Sequence, residues 1–129
     1  MVAMSCDATA RSLGRVRLQV DLLRSSLGSD LTDDVLLITS ELASNAVQHA
    51  DTVFTFRLQL ASGGVLILIE DGSLKLPIAP SENDPLSGRG RGLLLVSRLS
   101  SQYGYSTSIR LGKKLVWALI PWTSAQDLN

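Results

Sequence analysis

Three short stretches of the chain hold side chains whose types and spacing could do chemistry. The first is ELASNAVQHA, residues 41–50, where Glu41, Asn45 and His49 recur every four positions. On a helix that spacing draws a slowly winding polar stripe beside an apolar one. A carboxylate on such a stripe can orient or deprotonate a hydroxyl or a water. Asn45 offers an uncharged oxygen to magnesium, while its NH₂ group serves another acceptor. The same stripe is also what three solvent-facing polar residues would make. His49, near the helix end, suits an imidazole that satisfies a late carbonyl as well as a nucleotide-side role, and metal ligation ranks below both.

The second stretch is EDGS, Glu70 to Ser73. Asp71 shares its alternation parity with Ile67 and Ile69, so its carboxylate emerges at the inner edge of a sheet, where it can accept a hydrogen bond from an exocyclic amine. Gly72 lets a flat base approach the backbone, and Ser73 can bridge through a water. A plain Asp-Gly-Ser turn is the competing account. The third stretch is SGRGRGLLLV, Ser87 to Val96. Gly88, Gly90 and Gly92 permit an exposed backbone curve, after which the amides opening a helix at Leu93 can bind phosphate oxygens. Arg89 and Arg91 add positive charge there or face solvent. A dinucleotide-type GxGxxG beginning at Gly88 fails at Leu93, and no GxxxxGK followed by Ser or Thr occurs. Near the C-terminus, GKKLVWALIP (112–121) places Lys113 and Lys114 at a turn or strand entrance. One of them, Lys114 in our assignment, can approach a phosphate, and solvated turn lysines are the alternative. Leu115, Trp117 and Leu119 alternate as anchors of one sheet face, with Trp117 in the core rather than stacked on a base.

These residues need elements to hold them. Leu13, Val16, Val20, Leu23 and Leu27 recur at three and four, which predicts a helix from Arg11 to Leu27 stopped by Gly28. A second helix is expected from about Leu31, capped by Ser29, Asp30 or Thr32, with Val35, Ile38, Leu42 and Ala46 facing the core. Alternation then takes over: residues 53–60 read as a strand with one wetter face, and Val65 to Glu70 as a more apolar one after the Ser62-Gly63-Gly64 turn. Residues 72–88, with Pro77, Pro80 and Pro85, read as a long loop. A short helix through Leu93, Val96 and Leu99 follows, then strands at 103–111 and 114–120. The order predicts an α/β two-layer sandwich: a mixed, largely antiparallel sheet with helices packed on one face. Residues 1–10 read as a flexible tail, 11–121 as the domain and 122–129 as a short second tail.

Composition narrows the classes. The 129 residues fit one domain. Twelve basic side chains balance twelve acidic ones, which argues against direct nucleic-acid binding through a basic face. A single cysteine, Cys6, excludes an internal disulfide and a cysteine-rich metal site. The apolar runs fall far short of the roughly 20 residues of a membrane span. MVAMSCDATA has neither a long apolar core nor a basic leader, so a cytoplasmic location is expected.

Taken together, ELASNAVQHA, EDGS, GRGLLLV and KLVWALIP, in this order over residues 11–120, resemble the Bergerat-type ATP-binding domain shared by bacterial anti-sigma factors, histidine kinases, heat-shock chaperones and DNA gyrase. The pattern is most similar to the small anti-sigma-factor serine kinases. The resemblance implies ATP and Mg²⁺ as cofactors, Glu41 activating the attacking group, Asn45 on magnesium, Asp71 recognising adenine, and Gly90 and Gly92 near the phosphates. It also implies transfer of the γ-phosphate to a serine or threonine of an antagonist protein, with a sigma factor or that antagonist as partner. A non-catalytic nucleotide-sensing interaction module is the alternative. Self-association as a symmetric pair is compatible with a small regulatory domain. Where the broader superfamily has a motif close to DxGxG, this chain has Asp71, Gly72, Ser73, Leu74, Lys75, which weighs against a chaperone or gyrase.

Overall fold

The computed structural model describes residues 1–50, 52–74 and 91–122, the side chains of His49, Ala50, Arg91 and Leu93 excepted. Five strands, β1 (Val2–Cys6), β2 (Phe54–Ala61), β3 (Gly64–Asp71), β4 (Gln102–Ser108) and β5 (Lys113–Pro121), form one sheet in the order β1-β2-β3-β5-β4. Each of the four ladders is antiparallel. The helices are α1 (Ala10–Asp21), α2 (Arg24–Leu27), α3 (Ser29–Asn45) and α4 (Arg91–Leu99), and α3 runs on into a π-helical turn, Ala46–Ala50. The arrangement is the expected α/β sandwich with its helices on one face.

Register explains which residues make the core. Phe56 lies opposite Ile69, Leu58 opposite Ile67, and across the next ladder Ile67 meets Ala118 and Val65 meets Ile120. All of these are buried, together with Val35, Ile38, Leu42 and Ala46 of the α3 segment, as the helical period predicted. Burying such aliphatic and aromatic side chains contributes roughly 1.5–3 kcal/mol each relative to exposure.

Four expectations change. The segment 1–10 is not a loose end: Val2, Met4 and Cys6 pair with Leu58, Phe56 and Phe54, and Cys6 is buried. A short strand stabilised by partners far along the chain leaves little local signal. Burial pushes the Cys6 thiol pKa up, with nearby Arg15 opposing the shift. The helix expected to run unbroken to Leu27 divides at Leu22–Leu23, where Leu23 takes φ −89, ψ 3. Its apolar stripe nevertheless continues inward on both pieces, because Val16, Val20 and Leu27 are all buried. The next helix starts at Ser29 without a side-chain cap, after Gly28 at φ +86. An L side chain rarely takes that backbone angle, so glycine here sets the corner between helices.

Lastly, Trp117 is not in the core. Val116, Ala118 and Ile120 face the helices, which turns Leu115, Trp117 and Leu119 to the open side of the sheet. There Trp117 lies across Gly104, where an added Cβ would stand 3.0 Å from the indole. Both parities of β5 are apolar, so the strand pattern alone could not tell the two faces apart. Beyond β5, the Trp122 indole N–H donates to the Ser62 carbonyl at 3.0 Å; residues 123–129 of the predicted second tail lie outside the described residues.

Candidate functional site

The helix-facing parity of β3 runs Val65, Ile67, Ile69 and ends on Asp71, which is 3% exposed. A carboxylate with so little access to water must be satisfied by the protein around it. Its Oδ1 accepts the Ser73 N–H at 2.8 Å. Its Oδ2 lies 3.6 Å from Lys114 Nζ, and the two side chains are 2% and 7% exposed. The Asp-Gly-Ser turn and the inner-edge carboxylate, alternatives in the sequence, therefore coexist on the two oxygens of one side chain.

Lys114 is not a solvated turn lysine. It is buried, as the direct register partner of Asp71 on β5, and its ammonium is turned to the strand-exit carboxylate. The solvated role falls to Lys113, which faces the other side of the sheet and reaches Glu70 Oε1 at 3.4 Å.

Gly72 follows Asp71, and its N–H donates to Thr52 Oγ1 at 3.0 Å. A Cβ at Gly72 would stand 3.4–3.5 Å from the Thr52 side chain, in ordinary van der Waals contact with it. The sequence did not single out Thr52. Its role depends on the end of the α3 segment meeting the end of β3, a contact that no local pattern announces.

Glu41 and Asn45 are half-buried on the last turns of α3, flanking buried Leu42 and Ala43. The π-helical turn begins at Ala46. A π turn closes its hydrogen bonds one residue later than an α turn, so Glu41 and Asn45 keep the four-residue period while position 49 no longer follows it. That turn packs on β3, and the Thr52–Gly72 bond ties its exit to the strand exit. Asn45 and Asp71 thus lie at the same end of the domain. π turns recur at functional sites.

Of the glycine cluster, Gly88, Arg89 and Gly90 lie outside the described residues, while Arg91, Gly92 and Leu93 open α4. This helix packs against α3 and buries Val96. Just beyond it, the Ser101 N–H donates to the Leu119 carbonyl, at the end of β5 remote from Lys114. Since β3 leaves the sheet at Asp71 and β4 re-enters opposite Leu119, α4 belongs to the segment that carries the chain back along the sheet. A shallow depression lined by Thr55, Arg57, Leu68, Glu70 and Leu115 occupies the opposite sheet face, away from Asp71.

Among the described residues, no group of three or more His, Cys, Asp or Glu side chains could hold a metal ion. None of the described helices is long and apolar enough to cross a membrane. Comparison with protein families matches residues 6–118 to the histidine kinase-like ATPase domain. No curated protein matches the chain.

Proposed function

Because the chain belongs to the histidine kinase-like ATPase domain family and is thus an ATP-binding domain, we propose that it is an anti-sigma-like regulatory protein kinase. In this reading it transfers the terminal phosphate of ATP to a serine or threonine of an antagonist protein. The observation that carries the reading is the buried Asp71 carboxylate at the exit of β3, on the end of the domain that also holds Glu41 and Asn45. The order of the four motifs along the chain, similar to that of the small anti-sigma-factor kinases, supports it further.

Each residue then has a task. Asp71, fixed through Oδ1 by the Ser73 N–H, accepts a hydrogen bond from the exocyclic amine of the base, and Gly72 leaves room for the ring. Asn45 supplies a hard, neutral oxygen of the type magnesium takes, so it fits a site completed by phosphate oxygens. Bound magnesium-ATP supplies the transferable phosphoryl group and neutralises its charge. Glu41 accepts the hydrogen of the acceptor hydroxyl and points its oxygen inward. The amides of Gly92 and Leu93, at the start of α4, are suited to phosphate oxygens.

The test is transfer of label from γ-³²P-ATP to an antagonist captured on the chain in magnesium-ATP. Labelled serine or threonine, lost in Glu41→Gln with ATP binding retained, is the expected result. ATP and antagonist both binding without transfer would overturn the kinase and leave a nucleotide-sensing interaction module.

A further inference from the structure

We infer that Lys114 is a base-specificity residue: with Asp71 it forms a donor–acceptor pair that reads two adjacent positions on the edge of adenine, the amine at position 6 and the ring nitrogen at position 1. The inference rests on the reading that Asp71 faces the base.

A carboxylate alone reads only half of that edge. Ionised, it accepts and cannot donate, so it can bond the amine but not the neighbouring ring nitrogen, which is itself an acceptor. The structure sets a donor beside it, since Lys114 Nζ lies 3.6 Å from Asp71 Oδ2. The two oxygens of Asp71 are not equivalent. Oδ1 accepts the Ser73 N–H, and Oδ2 is the oxygen on the side of Nζ. A donor and an acceptor at this spacing match an edge that carries its donor and acceptor on neighbouring atoms.

The position of the lysine also asks for a role beyond tying two strands. Along the helix-facing side of β5 the residues after Lys114 are Val116, Ala118 and Ile120, and along β3 the residues before Asp71 are Val65, Ile67 and Ile69. The sheet is apolar on this face until it reaches the candidate site, and there it becomes an ion pair. Buried lysines are rare unless paired, and a buried ion pair commonly adds no stability over an apolar pair of similar volume. Joining β3 to β5 therefore does not require these two residues, whereas reading a base edge does.

The experiment compares the binding of ATP and 1-deaza-ATP, in which a C–H replaces the ring nitrogen at position 1, to the full chain by calorimetry. The wild-type chain should bind 1-deaza-ATP about tenfold or more weakly, the effect of losing one hydrogen bond from a charged donor. Lys114→Met should bind both with nearly equal affinity. Equal binding of the two nucleotides by the wild-type chain would overturn the role of Lys114 while leaving ATP binding intact, and it needs no variant that might misfold. If the wild-type chain binds neither nucleotide, the ATP reading itself fails. Lys114→Met weakening both nucleotides by the same factor would reduce the lysine to a structural partner of Asp71.

Discussion

Two lysine–carboxylate pairs stand side by side at one end of the sheet, built from consecutive residues on the same two strands. Glu70 and Lys113 meet at 3.4 Å on the open face, with side chains 41% and 54% exposed. Asp71 and Lys114 meet at 3.6 Å on the helix-facing side, 2% and 7% exposed. Separation does not distinguish them; access to water does. Exposed pairs exchange their partners for water at little cost, whereas a desolvated charge that loses its partner has nothing to replace it. Strand alternation has thus divided EDGS and GKK into a solvated pair and a pair committed to the site.

The sharpest way to break this comparison is Asp71→Asn, which removes the carboxylate charge facing the buried Lys114 ammonium. Removing one partner of a buried pair costs about 3–5 kcal/mol, so the urea midpoint should fall markedly. ATP affinity, measured on the fraction that remains folded, should drop by about tenfold or more through loss of a charged acceptor. Unchanged ATP affinity in a folded Asp71→Asn chain would refute the assignment of this carboxylate to the base.

The double replacement Asp71→Leu with Lys114→Met separates stability from function. Both charges leave together and the side chains keep a similar shape, so stability should return to within about 1–2 kcal/mol of the wild type, or exceed it. Nucleotide binding should not return. A double variant as unstable as Asp71→Asn would mean that the pair itself holds β3 to β5.

Part of this site was legible in the sequence. Asp71 follows Ile67 and Ile69 in parity, so its emergence on the inner face could be read from one strand alone, and the Glu41–Asn45 spacing could be read from one helix. The partnership of Asp71 with Lys114 could not, because it depends on the register between β3 and β5, and a slip of one residue would have presented Lys113 instead. The same reason explains Trp117 and Thr52: one required knowing which face of the sheet the helices cover, the other that the end of the α3 segment closes on the end of β3. The elements with strong local periods, α3 and the β2–β3 hairpin, were readable. β1 was not, since its alternation covers only Val2, Met4 and Cys6 and is stabilised by β2.

On the solvated side, Lys113→Met should change stability by less than about 1 kcal/mol, with the change shrinking as salt is added. ATP affinity should stay at the wild-type value. A loss of affinity comparable to that of Asp71→Asn would erase the distinction between the two faces, since Lys113 would then reach the nucleotide from the open side.

The smallest effect concerns a carboxylate whose neighbours carry its own sign. Asp34 lies on α3, and its pKa is raised above the ordinary carboxylate range, first by burial and then by Asp30 and Asp33. Asp30 occupies the first turn, where the helix dipole favours negative charge. Asp34 lies beyond that turn and gains less from it. A raised pKa in the folded state means that the folded chain holds this proton more tightly than the unfolded chain. The stabilisation is complete below the ordinary carboxylate pKa of about 4 and is lost as pH rises through the folded value. At neutral pH the charge of Asp34 therefore opposes folding. Asp34→Asn should raise the urea midpoint modestly at pH 7, and the gap to the wild type should close as pH falls toward 4 and below. A gap that instead widens in acid would show that Asp34 is stabilised as a carboxylate.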